Sequence, residues 1–271
     1  MALYLNGVKI DLDKRFPDGT LAFKLNPVFY MDKPKPATID WYYENDSEIL
    51  ALYCIRAKLL EANVAYVYLR MPYVPNARMD RVKANDDVFT LKYFCDLINS
   101  MQFDNVEILD PHSSVTPALL HRCTVIYPRR FILHALSDIH DPDIAVFFPD
   151  EGSMKRYSEN IQYPYGFAVK KRDWSTGKIL GLQVIGGENL AGKNVLIIDD
   201  ICSRGGTFFH SAKALKEAGV KDIYLYVTHC ENTILGGELL YGDLVRHVYT
   251  TDSIFTGHHN KITVLPLKDG E

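Results

Sequence analysis

Residues 195–208, VLIIDDICSRGGTF, carry four apolar residues into two adjacent aspartates and then into Gly205-Gly206-Thr207. Solubility alone does not require paired charge at the end of a buried run. A carboxylate pair suits sugar hydroxyls or a magnesium ion, whereas glycines with a threonine let backbone amides approach an anion. A phosphorylated sugar satisfies both halves. Two further stretches carry chemistry: DPHSSVT at 110–116 sets Asp110 and His112 after another apolar run, and VKKRDWSTGK holds the basic trio Lys170, Lys171 and Arg172. Each also has a plainer meaning when read alone. A DD pair beside a GG turn describes a capped helix start, His112 a loop histidine satisfied by its neighbours, and the trio a solvated face.

These groups need strand ends and helix starts to hold them. Val195 to Ile198 read as a strand with Asp199 and Asp200 emerging at its carboxyl end, before a helix containing Phe208, Ala212 and Leu215. SEILALYCIRAKLLEA at 47–62 has helical spacing and is followed by the β-rich VAYVYLRMP at 64–72; FTLKYFCDLINSM at 89–101 is followed by VEILD at 106–110. The same order returns in FILHALSD with IAVFFPD, and in ALKEAG with VKDIYLYVTH. Such alternation predicts an α/β fold with mainly parallel sheets covered on both faces by helices. In that architecture ligands collect where strands yield to loops, because helix N-termini present unpaired N–H groups and a positive dipole end. The opening residues alternate in short pieces around Asn6-Gly7 and Asp18-Gly19 and read as hairpins, after which Pro27, Pro34 and Pro36 break the chain.

At 271 residues, 47% of them hydrophobic, the chain can bury a substantial core as one large domain or two smaller ones. A formal charge of −4 with both signs interspersed gives no basic field for nucleic acid. Cys54, Cys95, Cys123, Cys202 and Cys230 are an odd number without CxxC spacing, which fits reduced thiols better than a disulfide framework or a zinc site. No apolar run is long enough for a membrane span, and MALYLNGVKIDLDKRF lacks the features of a secretory signal. The expectation is a soluble, cytoplasmic protein with neither nucleic acid nor membrane as partner.

The 195–208 stretch resembles the phosphoribosyl-diphosphate binding loop of type I phosphoribosyltransferases. Further segments are similar to the ribose-phosphate diphosphokinases, or phosphoribosyl-diphosphate synthetases: KRFPDG at 14–19, MPYVPNARMDR at 71–81, LKYFCDLINS at 91–100, DPHS at 110–113, FPDEG at 148–152, KKR at 170–172 and YVTH at 226–229. They occur in family order over 14–253, nearly the whole chain. Transferases share the 195–208 loop but do not need the ATP-side ARMDR and DPHS segments, so the resemblance favours the synthetases.

The resemblance implies two phosphoribosyltransferase-like lobes, each a mainly parallel sheet flanked by helices: 1–125 carrying the ATP-side motifs and 126–255 carrying the sugar-phosphate loop. The last strand, in 256–271, is expected to return to the first lobe. It implies a homodimer or larger homo-oligomer, with ATP as donor and magnesium as cofactor. The reaction implied is transfer of the diphosphoryl group of ATP to the C1 hydroxyl of ribose 5-phosphate, releasing AMP. By the same resemblance Phe16 and Asp18 help form the adenine pocket, and Arg78, Asp80 and Arg81 contact ATP together with His112. Magnesium falls to His112 and Asp150. Asp199 and Asp200 hold the ribose hydroxyls, Ser203, Arg204, Gly205, Gly206 and Thr207 wrap the sugar phosphate, and Lys170, Lys171 and Arg172 provide a catalytic loop in which the arginine acts with one lysine.

The departures bear on the acceptor. Ser203 stands where the family has an aspartate, Arg204 where it has a threonine, Thr20 in place of a glutamate and Met79 in place of a glutamine, in a chain shorter than usual for the family. An added guanidinium favours further phosphate density. ADP-ribose, whose terminal ribose offers the same C1 hydroxyl, is therefore the second acceptor, although the bulk of Arg204 could equally fill the pocket. A non-catalytic nucleotide-binding or regulatory homologue is the third reading.

Overall fold

The alternation of helix and strand builds two sheets, one in each of two units, Met1–Tyr127 and Pro128–Glu271. The computed structural model describes residues 3–27, 36–172 and 179–268, with backbone alone at 170–172 and 179–181.

The first unit runs β1 (Leu3–Leu5), β2 (Val8–Lys9), β3 (Ala37–Trp41), α1 (Ser47–Glu61), β4 (Val67–Met71), α2 (Thr90–Ser100), β5 (Asn105–Leu109), α3 (Val115–Leu119) and β6 (Cys123–Ile126). Its sheet order is β2-β1-β3-β4-β5-β6, with β3 to β6 parallel and β1 antiparallel to both neighbours. Asn6 and Gly7 both have positive φ, 51° and 82°, the geometry of a tight hairpin turn. Along the strands one face is apolar: Ile39 and Trp41, Leu69 and Met71, and Val106 and Ile108 are buried with Leu52, Ile55 and Leu59 of α1 and Leu91, Phe94 and Ile98 of α2. Trp41 Nε1 and the Glu44 amide both donate to Glu48 Oε2 at 2.9 Å, so the buried carboxylate is satisfied. The opposite face is polar. Asp40, Arg70 and Glu107 stand in register across three strands, with N···O distances of 3.7 Å and 3.6 Å.

The second unit runs α4 (Arg129–Asp138), β7 (Ala145–Phe148), α5 (Glu151–Tyr157), β8 (Tyr165–Arg172), β9 (Ile179–Ile185), β10 (Val195–Cys202), α6 (Gly206–Glu217), β11 (Ile223–Cys230), α7 (Glu238–Tyr241), β12 (His247–Thr251) and β13 (Ile262–Leu265). Every residue of β7 and β11 is buried, as befits strands covered on both faces. The order β13-β12-β11-β10-β7-β8-β9 is parallel except for the β8–β9 hairpin. From β7 the chain moves to β8 on one side; from β10 it moves to β11 on the other. The topological switch point therefore falls between β7 and β10, where the crevice beyond their carboxyl ends receives ligands in such folds.

Two expectations are corrected. β13 does not return to the first unit: Val248↔Ile262 through Thr251↔Leu265 pair it in parallel with β12, where it takes the open edge of the second sheet. The strand bearing the aspartates does not stop at Ile198; it continues to Cys202, because β11 keeps pairing with it as far as Cys202↔Cys230. Among the described residues no helix is long and apolar enough to cross a membrane.

Candidate active site

In the second unit the site is made by a difference in strand length. β10 pairs with β7 only to Ile197↔Phe147, while its pairing with β11 runs on to Cys202, so Asp199 and Asp200 lie on an extension without β7 beside it. β7 ends at Phe148, and Asp150 follows as the cap of α5, its Oδ1 accepting from the Ser153 amide and hydroxyl, each at 2.9 Å. Asp200 is buried and Asp199 half-buried. The Asp200 amide donates to Asp199 Oδ1 at 3.0 Å, and Arg156 Nη1 lies 3.4 Å from Asp200 Oδ1. Burial, then the charge of Asp200 and more weakly that of Asp150, pushes the Asp199 carboxyl well above the usual aspartate range. Such a group is stabilised by whatever brings it a hydrogen-bond donor or a cation.

The loop after β10 presents the complementary charge. Gly205 has φ +83°, and α6 begins directly after it with no side-chain cap. The Phe209 amide is the one that reaches back to the Gly205 carbonyl, at 2.9 Å, so the amides of Gly206, Thr207 and Phe208 precede the helical ladder. They form an anion-binding end on a 12-residue helix. Ser203 is half-buried, whereas Arg204, Gly206 and Thr207 are exposed. Arg204, Gly205 and Gly206 also line a cavity of about 330 Å³ with Phe209, His210 and the segment Gly236 to Leu239.

Lys170, Lys171 and Arg172 fall on the β8–β9 hairpin, where the register shifts between Lys171 and Arg172; their side chains lie outside the described ones. Arg156 escaped the sequence reading. Its signal was available in FPDEGSMKR, where a capping aspartate followed six residues later by an arginine brings a cation to the end of a short helix.

In the first unit the ARMDR and DPHS segments come together. Asp80 is buried and accepts from Arg81 Nε at 2.7 Å and Nη2 at 2.9 Å, a bidentate pair. The Arg81 guanidinium, with the Ser113 hydroxyl and the charge of His112, holds the Asp80 carboxyl below its usual range. His112 is half-buried, and Asp110 before it has φ 43° and donates its amide to the Ile126 carbonyl at 2.9 Å. Arg78 is exposed. Phe16 and Asp18 occupy a separate tight hairpin: Asp18 Oδ1 accepts from the Thr20 hydroxyl at 2.7 Å and amide at 2.9 Å, and Phe16 is 57% exposed.

The two residues expected at magnesium fall one in each unit. Among the described residues no group of three or more His, Cys, Asp or Glu side chains is arranged to hold a metal ion. His112 belongs to the first unit and Asp150 to the second, where the Asp150 carboxyl already serves as the cap of α5.

Comparison with known proteins bears on both units. Residues 154–238 match the phosphoribosyl transferase domain family. Over 263 residues the chain is 24% identical to a ribose-phosphate pyrophosphokinase of Saccharolobus solfataricus, which spans 95% of this chain and 88% of that protein. It is 26% identical over 226 residues to a ribose-phosphate pyrophosphokinase of Pyrococcus abyssi, covering 80% of this chain and 74% of that protein. Among solved structures, phosphoribosylpyrophosphate synthetase from Mycobacterium smegmatis matches with a TM-score of 0.75 at 18% identity, over 94% of this chain and 85% of that chain, a likeness of fold.

Proposed function

Because the chain belongs to the ribose-phosphate pyrophosphokinase family and shares its phosphoribosyltransferase fold, we propose that it transfers the diphosphoryl group of ATP to the C1 hydroxyl of ribose 5-phosphate, giving phosphoribosyl diphosphate and AMP. The observation that carries this reading is the pairing, at one strand end, of a carboxylate that needs a donor and a helix start that needs an anion. Ribose 5-phosphate supplies both. Its hydroxyls donate to the aspartates of β10, and its phosphate takes the amides of Gly206, Thr207 and Phe208 with Ser203 and Arg204 at the rim.

The C1 oxygen attacks the β-phosphorus of ATP, the bond from that phosphorus to the oxygen bridging it to the α-phosphorus breaks, and AMP departs with that oxygen while the hydroxyl proton leaves. Charge builds on the bridging oxygen. Arg172 with Lys170 or Lys171, carried on the β8–β9 hairpin, is assigned to it, and Arg78, Asp80, Arg81 and His112 are assigned to ATP, with Phe16 and Asp18 on its adenine side. Magnesium fits this donor set in the manner usual for that ion, held by one or two carboxylates and by substrate phosphates rather than by a protein cage. Asp199 is the carboxylate whose raised proton affinity a cation would relieve. When bound, magnesium supplies neutralisation of the phosphate oxygens. Assembly as a homodimer or larger oligomer belongs to the same reading.

One observation favours a second acceptor, ADP-ribose. The cavity beyond Arg204, lined by Phe209, His210 and Glu238, offers room on the far side of the phosphate loop for a second phosphate and a nucleoside. Phosphorus NMR of the protein with magnesium, ATP and each acceptor in separate tubes tests both readings. AMP with a new diphosphate signal from ribose 5-phosphate is the expected result. Product from ADP-ribose alone replaces the first acceptor by the second, and no AMP in either tube overturns the catalytic reading in favour of a nucleotide-binding homologue.

A further inference from the structure

The β8–β9 hairpin leaves the rest of its sheet before it reaches its basic residues. β7 pairs with β8 from Val146↔Tyr165 to Phe148↔Phe167 and stops there, while the ladder to β9 continues from Phe167↔Ile185 to Arg172↔Ile179. Lys170, Lys171 and Arg172 therefore stand on a two-stranded ribbon, a structure of marginal stability by itself in water. Its base is fixed by backbone: a Cβ on Gly166 would meet the Ile185 carbonyl oxygen and the Leu190 side chain, each at 2.8 Å. Beyond the base the fixing passes to side chains. Along β9 the residues alternate, Gln183 and Ile185 exposed, Leu182 and Val184 half-buried against the apolar core that includes Phe208, Ala212 and Leu215 of α6. Ala168, opposite Val184 in the ladder, is buried in that same core, and Lys170 stands opposite Leu182. β9 itself lies against α6. The helix whose first amides receive the acceptor phosphate in the proposed function thus also carries the ribbon that bears the basic trio.

We propose that Leu182 and Val184 are positioning residues for the transfer: by seating β9 on α6 they set where Lys170, Lys171 and Arg172 stand relative to the phosphate-binding start of that helix. The inference rests on the proposed function and deepens it, naming what aligns the cations of the hairpin with the anchor of the acceptor. Neither side chain is assigned any contact with a substrate. α6 keeps its own buried residues, Phe208, Ala212 and Leu215, so unseating the ribbon leaves the phosphate end intact. What is lost is alignment at the reacting phosphorus, where small displacements are costly.

Initial rates of AMP release with magnesium, ATP and ribose 5-phosphate, repeated with ADP-ribose, and calorimetry with each acceptor alone test it. Leu182→Ala is expected to lower kcat about tenfold or more, with KM for the acceptor and its calorimetric affinity at wild-type values. Leu182→Met, close in volume, restores most of the rate. Gln183→Ala trims the exposed face of the same strand and is expected to leave the rate unchanged. Hydrogen exchange reads the seating directly: amides of the outer ladder, from Ala168 to Lys170 and from Leu182 to Val184, exchange faster in Leu182→Ala, and those of β10 and α6 do not. If Leu182→Ala melts below the assay temperature, Val184→Ala carries the comparison. Wild-type kcat in Leu182→Ala overturns the proposal, as do an equal fall in acceptor affinity, failure of Leu182→Met to restore the rate, or an equal loss in Gln183→Ala. Wild-type protein that releases no AMP with either acceptor overturns the proposed function itself, and the inference with it.

Discussion

Gly237 lies flat against the carbonyl of Arg204: a Cβ at position 237 would overlap that oxygen, and a Cβ at Gly205 would meet the Leu239 side chain at 2.9 Å. The loop before α6 thus takes its shape from the segment leading into α7, far along the chain. Overpacking of this kind costs about 1–3 kcal/mol, and here the strain falls on the backbone of the loop before α6, which the proposed function gives to the sugar phosphate. Gly237→Ala is predicted to lose about tenfold or more in ribose 5-phosphate affinity, with a melting temperature a few degrees lower. Calorimetry and a melting curve check both; intact affinity would show that the loop holds its own shape.

Arg204 stands at the mouth of the cavity beside that loop, exposed and ready for charge-assisted bonds to phosphate. Arg204→Thr is predicted to lower use of ADP-ribose relative to ribose 5-phosphate by about tenfold, the effect of one lost ionic hydrogen bond or slightly more. Initial rates of AMP release with each acceptor give the ratio. An unchanged ratio removes Arg204 from acceptor choice.

Asp199 keeps its proton to higher pH in the native state than in the unfolded chain, because burial and the neighbouring Asp200 disfavour its charge. Between the ordinary aspartate value, about 3.9, and the raised one, the native state binds more protons, so the contribution of this group to stability falls as pH rises through that interval. Above it, the ionised carboxylate is a standing cost. Asp199→Asn is predicted to flatten this part of the pH profile and to raise the melting temperature at mildly alkaline pH by a few degrees, while sugar-phosphate binding disappears. Identical pH profiles for variant and wild type would contradict the assignment.

The thiols differ sharply in reactivity. Burial pushes Cys95 up to about 12 and Cys123 up to about 11, Cys202 and Cys230 are buried, and Cys54 on α1 is exposed. Brief treatment of the native protein with iodoacetamide at mildly alkaline pH is predicted to label Cys54 alone, and denaturation to release all five thiols. Peptide mass spectrometry locates the labels. Rapid modification of Cys95 or Cys123 would mean that their surroundings open.

Local pattern made much of this legible. The apolar spacing of 47–62 and 89–101 places α1 and α2 to within a residue or two, and Asn6-Gly7 announces its hairpin. Gly205 marked the start of α6 because a left-handed position before a helix favours glycine. What escaped was set by partners distant in sequence. The length of β10 depends on β11, the edge taken by β13 depends on β12, and the contact of Arg156 with Asp200 spans 44 residues by their numbering. Pairings of that kind leave no periodic signature in the strand that receives them.

The early end of β7 gives β10 an internal edge. From Ile198 to Cys202 one side of the strand is laddered to β11, and no strand ladder joins the other side to β7. An outer edge of this kind invites pairing with a foreign chain, but this one lies inside the sheet order, beyond the end of β7, and runs only from Ile198 to Cys202. A small polyhydroxylated molecule meets no such obstacle. Under the proposed function the acceptor's oxygens would stand in for the absent neighbour, and the unequal lengths of β7 and β10 would set the room they have.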